Sequence, residues 1–271
     1  MKPAPPPSTS REAAPFVLLC PRCRSPLADD LRSPCRCGRT GFVQPAYLDL
    51  CERADPRRDR TQKAYEAYSK FYAPLALLVY WWIWRGRIRR HIAFFREILG
   101  RSTTVLDIGT GDGSLTRLAL FSKHAGPARK VLAIDLSPEM IERAAAALPP
   151  PAVVHVRGDA EDLPLADGCA PAITCFGSLH GFTRPAKSLA EMRRVLAPGA
   201  VVRGSLLLRP RARWRQKLVE GWIRQGYLSH MVEEETLRGW VAESGLRIRL
   251  VERYGDVLLF ELDVPAAAGS S

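Results

Sequence analysis

The chain has 271 residues, 46% hydrophobic and 25% charged, the composition of a water-soluble globular protein with room for one large domain and a small one. Its formal charge of +12 admits nucleic acid, an anionic membrane surface or acidic substrates as partners without selecting among them. No secretory signal is read at the Pro-rich start, because the apolar run from Phe16 to Cys20 is too short, so a cytoplasmic chain is expected. The seven cysteines then read as thiols or metal ligands rather than disulfides.

Residues 1–15 read as a disordered leader. A small unit over 16–50 follows, with Cys20-Pro-Arg-Cys23 and Cys35-Arg-Cys37 separated by eleven residues. Four thiolates on such turns suit tetrahedral zinc, and a unit this small needs a staple. The second pair is one residue shorter than in a regular zinc ribbon, so free thiols in a degenerate knuckle are the alternative. Residues 51–99 read as a helical linker or lid, charged at first and then aromatic, with Tyr80, Trp81, Trp82 and Trp84 ahead of Arg85, Arg87, Arg89 and Arg90. The fourteen residues Phe71 to Trp84 are too few to span a bilayer. They suit a membrane interface, a surface that stacks on RNA bases, a lid over an apolar substrate, or a helix packed on the main domain.

From about residue 100 to 264, short apolar runs alternate with helical stretches, which predicts βαβ units and a mostly parallel, Rossmann-like sheet of seven strands flanked by helices. Strands are expected over 104–108, 131–135, 153–156, 171–176, 200–207, 246–253 and 256–263, and helices near 114–124, 138–147, 186–196 and 234–243. Residues 265–271 read as a disordered tail. In sheets of this kind ligands bind at the carboxyl ends of the strands, where the strand order reverses.

The first of those ends is the turn Asp107-Ile-Gly109-Thr110-Gly111-Asp112-Gly113. Glycines let backbone amides approach a ligand, but two carboxylates beside the turn repel phosphates and suit an ammonium or sulfonium. That favours S-adenosylmethionine over a dinucleotide. The second strand ends on Asp135, placed to accept both hydroxyls of a ribose, and the third is followed by Gly158-Asp159-Ala160, which offers an acid and an amide to an adenine edge.

With VLDIGTGDG, AIDLSPEM, GDAEDLPL and SLAEMRRVLAPGA in place, residues 100–263 resemble the class I S-adenosylmethionine-dependent methyltransferases. The resemblance implies that Asp107, Gly109, Thr110, Gly111 and Gly113 attend the methionine end of the cofactor. It assigns Asp135 to the ribose, Leu136 and Met140 to the adenine face, and Asp159 with Ala160 to the adenine edge. Phe176 completes the set, and His180, after the fourth strand, is the candidate base. The front end resembles the zinc-ribbon methyltransferases, a grouping with quinone-biosynthesis-like enzymes and rRNA guanine methyltransferases, with Cys20, Cys23, Cys35 and Cys37 as zinc ligands. A small apolar or aromatic metabolite is the expected acceptor, under a lid of 71–84 and 205–228 with Trp214, Trp222 and Tyr227. An RNA base is the alternative, favoured by the row Arg209, Arg211, Arg213, Arg215 and Lys217. A cofactor-binding adaptor without catalysis is the third reading.

Overall fold

A computed structural model describes residues 16–28, 31–52, 72–121, 130–148, 150, 152–225 and 231–265, with the side chains of 72–77 left aside. The leader, nearly all of the expected tail, the start of the linker and Tyr227 lie outside the described residues.

The strands are β1 (Leu48–Asp49), β2 (Thr104–Ile108), β3 (Lys130–Asp135), β4 (Val153–Arg157), β5 (Ile173–Phe176), β6 (Val202–Leu207), β7 (Arg247–Tyr254) and β8 (Val257–Asp263). The helices are α1 (Tyr72–Trp84), α2 (Ile88–Arg101), α3 (Ser114–Leu120), α4 (Pro138–Ala147), α5 (Pro185–Val195), α6 (Arg213–Gln225) and α7 (Glu234–Ser244). They build one eight-stranded sheet in the order β1-β4-β3-β2-β5-β6-β8-β7. The pairs from β1 to β6 are parallel, whereas β8 runs antiparallel to both β6 and β7.

Burial explains the central strands. All five residues of β2 are buried, as a strand covered by helices on both faces requires. Pro138 fits the first turn of α4, and the Ser137 hydroxyl accepts from the Met140 amide, so this helix starts where the sequence says it should. One core residue runs against the pattern. Arg203 on β6 is 2% exposed, paired with Glu261 and Glu97 and lying over the Phe94 ring. Its charge survives burial because two carboxylates and the Phe94 carbonyl occupy its donors.

Two expectations need correction. The sheet has eight strands rather than seven, because the cysteine-rich unit contributes β1 to the edge beside β4. The fourth predicted strand starts at Ile173 instead of 171, because Ala170 is engaged with Leu196. Within the expected lid, residues 213–225 form the regular helix α6.

The cysteine unit shares the main core. Phe42, Leu48 and Leu50 pack in the same cluster as Val156, Leu163 and Leu165. Its backbone also holds the segment after β4: the Leu19 amide donates to the Pro164 carbonyl at 2.9 Å and the Ala166 amide to the Val17 carbonyl at 3.0 Å. Arg24 donates to the Leu163 carbonyl and pairs with Asp162, and Arg157 pairs with Asp49.

Candidate active site

The order β3-β2-β5 puts the topological switch at β2, and the cleft opens there, at the carboxyl ends of the strands. It encloses about 920 Å³ of atom-free space, the solvent in its open mouth included. Gly109 and Gly111 form its floor, Asp135, Leu136 and Met140 one wall, and Asp159 with Ala160 the far end. Ser178, Gly181, Phe182 and Thr183 form the opposite wall.

Backbone conformation dictates the floor. Gly111 has φ of +59°, and a methyl group built on it would meet no atom within 4 Å, so the space above it is the cleft itself. A side chain at Gly109 would instead strike Ser178, 2.5 Å away, whose hydroxyl donates to the Gly109 carbonyl. That hydrogen bond ties the floor to the opposite wall.

Asp135 is the central acid. One oxygen accepts from the Gly111 amide at 2.9 Å and the other from the Ser137 amide at 3.0 Å. Each oxygen keeps acceptor capacity toward the cleft it lines. Burial raises the pKa of this carboxyl, opposed by those amides, so a cationic or hydroxyl-rich ligand that favours the ionised form binds against a partly desolvated charge. Asp159 accepts from the Glu161 amide, and Glu161 is paired with Arg184 at 2.7 Å. Among the described residues the lining therefore contains three carboxylates and neither lysine nor arginine.

The structure brings Gly109, Gly111, Asp135, Leu136, Met140, Asp159 and Ala160 together, as the sequence implies, and withholds others. Asp107 is buried beneath the turn, where the hydroxyls of Thr110, Thr116 and Thr174 donate to it at 2.6–2.8 Å. Burial raises its pKa against those three bonds, and its work is to hold the turn. Thr110 is turned inward with it. Gly113 packs against Ala144 and Leu148 as α3 begins. Phe176 stacks on Phe95 with ring centroids 4.7 Å apart, inside the core rather than in the cleft. His180 is buried in the 3-10 turn Leu179–Gly181, while its neighbours form the wall, so the expected base does not line the cleft.

Two groups escaped the sequence reading. Glu161 and Arg184 fasten the Asp159–Ala160 end of the cleft to the start of α5, and nothing in their spacing announces the pair. A buried polar chain also runs from the Gly177 amide to the Ser205 hydroxyl, then to His91, Tyr80 and Tyr254, with links of 2.8–3.0 Å. Burial pushes His91 down to about 4, so it is neutral. Tyr80 is eleven residues from His91, but Ser205 lies 114 residues from it and Tyr254 lies 174 from Tyr80, out of reach of any local pattern.

The four cysteine sulfurs converge, all within 4.8 Å of one another, despite the short second pair. Tetrahedral zinc with bonds of about 2.3 Å sets its sulfurs roughly 3.8 Å apart. The Cys20–Cys37 and Cys23–Cys35 separations of 3.7 and 3.4 Å suit it. Hydrogen bonds from Ser25 pull Cys23 down to about 6, whereas burial and the neighbouring thiols outweigh the Cys37 backbone bond and push Cys35 up to about 11.

The fold is shared with solved structures described as S-adenosylmethionine-dependent methyltransferases, and residues 106–203 match the family model described as a methyltransferase domain. A matched stretch is 40% identical over 97 residues to an uncharacterized 37.1 kDa protein of a Streptomyces fradiae transposon, covering 35% of this chain and 28% of that one. Over 103 residues it is 36% identical to the ubiquinone/menaquinone biosynthesis C-methyltransferase UbiE of Klebsiella pneumoniae, covering 36% of this chain and 40% of that enzyme. An uncharacterized chloroplastic methyltransferase of Arabidopsis thaliana aligns at 26% identity over 254 residues, 81% of this chain and 70% of its own length. The match thus spans well under half of the first and second of these relatives. Among solved structures, a chain from the complex of the Haloferax volcanii Trm112 methyltransferase activator with a methyltransferase superposes with a TM-score of 0.56 at 18% identity. That superposition covers 77% of this chain and 99% of the other, and it shows the shared fold.

Proposed function

We propose that the protein transfers a methyl group from S-adenosylmethionine to a small apolar or aromatic metabolite, of quinone or lipid-like character. The observation that carries the donor is the charge of the cleft. A pyrophosphate needs cations or bare amides, whereas this lining offers Asp135 and Asp159 with no basic residue, which suits a sulfonium nucleoside. In this reading Asp135 holds the ribose hydroxyls, Leu136 and Met140 cover the adenine, Asp159 and Ala160 take its edge, and Gly109 and Gly111 receive the methionine end.

Bound there, S-adenosylmethionine supplies an electrophilic methyl group. The chain contributes alignment and exclusion of water: Phe182 gives the opposite wall an apolar surface, and Ser178 and Thr183 supply hydroxyls that orient a polar acceptor atom. The small-metabolite assignment draws support from the 36% identity to the quinone-biosynthesis enzyme. The four-cysteine site is proposed to hold structural zinc, which would fix the unit that clamps residues 162–166.

The test is incubation of the purified protein with methyl-labelled S-adenosylmethionine and cell extract, then separation into RNA, protein, lipid and small-molecule pools. Label should enter the lipid or small-molecule pool and disappear with Asp135→Ala. Label in RNA would replace the acceptor with a nucleic-acid base, and absence of transfer despite cofactor binding would leave an adaptor.

A further inference from the structure

The aromatic segment before the methyltransferase domain divides into two faces. On one, Ile83 and Trp84 of α1 are buried with Val219 of α6, and Trp84 stacks near Trp222. On the other, Leu78, Trp81 and Trp82 are 58%, 65% and 56% exposed. Their spacing of three and four residues makes one ridge. Trp214 and Leu218, one turn apart on α6, are also exposed, and the Trp82 and Trp214 rings lie 5.1 Å apart, so the ridges merge into one patch.

Scattered exposed hydrophobics are ordinary, but a contiguous patch containing three indoles marks a contact surface. Helix α1 carries no charge anywhere in its thirteen residues, so its outer face is as apolar as its inner one. The rim is basic. Arg90, Arg209 and Arg215 are paired with acids, while Arg85, Arg87, Arg89, Arg211, Arg213 and Lys217 are exposed and have no carboxylate partner among the described residues.

We infer that this face docks on an anionic lipid bilayer. Indoles and leucines with arginines beside them are the composition that seats a protein at the headgroup level, and negative headgroups complement the cationic rim. A second copy of the chain would set one basic rim against another. RNA would leave Leu78 and Leu218 with nothing to bury against. Among the described residues no helix is long and apolar enough to cross a membrane, so the contact is peripheral. Placement adds a consequence: the Trp84 indole donates to the Leu208 carbonyl, one residue past the carboxyl end of β6. The patch thus stands on the edge of the sheet that bears the cleft, and docking turns that edge toward the membrane. The inference holds whatever molecule accepts the methyl group.

The experiment uses the full chain and vesicles of equal parts phosphatidylglycerol and phosphatidylcholine. The protein should co-sediment with them, far less with pure phosphatidylcholine, and its tryptophan emission should shift to the blue. Combining Trp81→Ser, Trp82→Ser and Trp214→Ser should weaken binding by about tenfold or more through the lost interfacial burial. Cofactor affinity by calorimetry should stay unchanged, which shows that the variant is folded. Combining Arg85→Glu, Arg87→Glu and Arg89→Glu should abolish the preference for anionic lipid. The inference is overturned if wild-type protein with normal cofactor affinity ignores anionic vesicles, or if the tryptophan variant binds them equally well. Salt-sensitive binding to RNA without lipid binding, or dimerisation through the patch, would overturn it as well.

Discussion

Replacing Asp135 by alanine removes the acceptor on which the proposed cofactor site turns. Its two oxygens each hold one backbone amide at 2.9 and 3.0 Å, and each would also accept one ribose hydroxyl. A hydrogen bond to a charged group contributes about 1.5–3 kcal/mol net, and water can enter the space left by the carboxylate, so the expected loss is about 3 kcal/mol. That is about a hundredfold in Kd, measurable by isothermal titration with S-adenosylmethionine, alongside a melting curve to verify folding. Asp135→Asn keeps one acceptor oxygen and should lose less. Because burial raises the Asp135 pKa, wild-type affinity should decline on acidification earlier than an ordinary carboxylate would allow, and the Asn variant should lack that decline. An unchanged Kd for the folded alanine variant would refute the ribose assignment, and with it the reading of the acidic lining.

Burial holds His91 at about 4 against an ordinary 6.5, so the folded state binds its proton less readily than the unfolded chain. The stability this contributes is present above pH 6.5 and lost as pH falls toward 4, roughly 3 kcal/mol in all, and urea titrations across that range should show a loss that His91→Gln lacks. Gly204→Ala should cost about 3 kcal/mol, the upper end for overpacking, since a Cβ there would collide with the Cys175 carbonyl oxygen and the Phe260 ring. Chemical denaturation tests it, and a midpoint equal to wild type would mean that β5 and β6 yield more readily than their burial implies. Removing the proposed zinc with a chelator should loosen residues 162–166 and weaken cofactor binding several-fold, because Leu19 and Arg24 anchor that segment. Hydrogen exchange in this loop, before and after chelation, measures the coupling.

The sheet was legible because its strands are short apolar runs broken by glycine, acid and proline, and such runs report burial directly. That Asp135 and Asp159 would line the cleft was legible from their place at or just past the carboxyl ends of β3 and β4, where sheets of this kind open. Asp107 misled because the sequence shows an acid beside a glycine turn but not the three threonines, from the turn, α3 and β5, that consume its oxygens. Phe176 and His180 share that origin, since position after a strand fixes the region but not the face. The basic row divides for the same reason: Arg211, Arg213 and Lys217 stay exposed while two of its members are paired. Arg209 and Arg215 bind Glu233 and Asp256, and only spatial neighbours reveal which arginines remain available. The two-residue strand β1 was illegible because Leu48–Asp49 extends a sheet whose partner strand lies a hundred residues further along.

That short strand gives the N-terminal segment a protective duty. The Leu50 amide donates to the Arg157 carbonyl, and Leu48 and Asp49 align with Val156 and Arg157, so the outer flank of β4 meets protein instead of solvent. Shorn of its first fifty residues, the sheet domain would present bare peptide groups and the apolar cluster around Leu163 and Leu165 to other molecules. Self-association, visible by light scattering, is the expected fate of the shortened chain. The cysteine-rich segment is thus a chaperoning hem, and a minimal version of this protein would have to keep it.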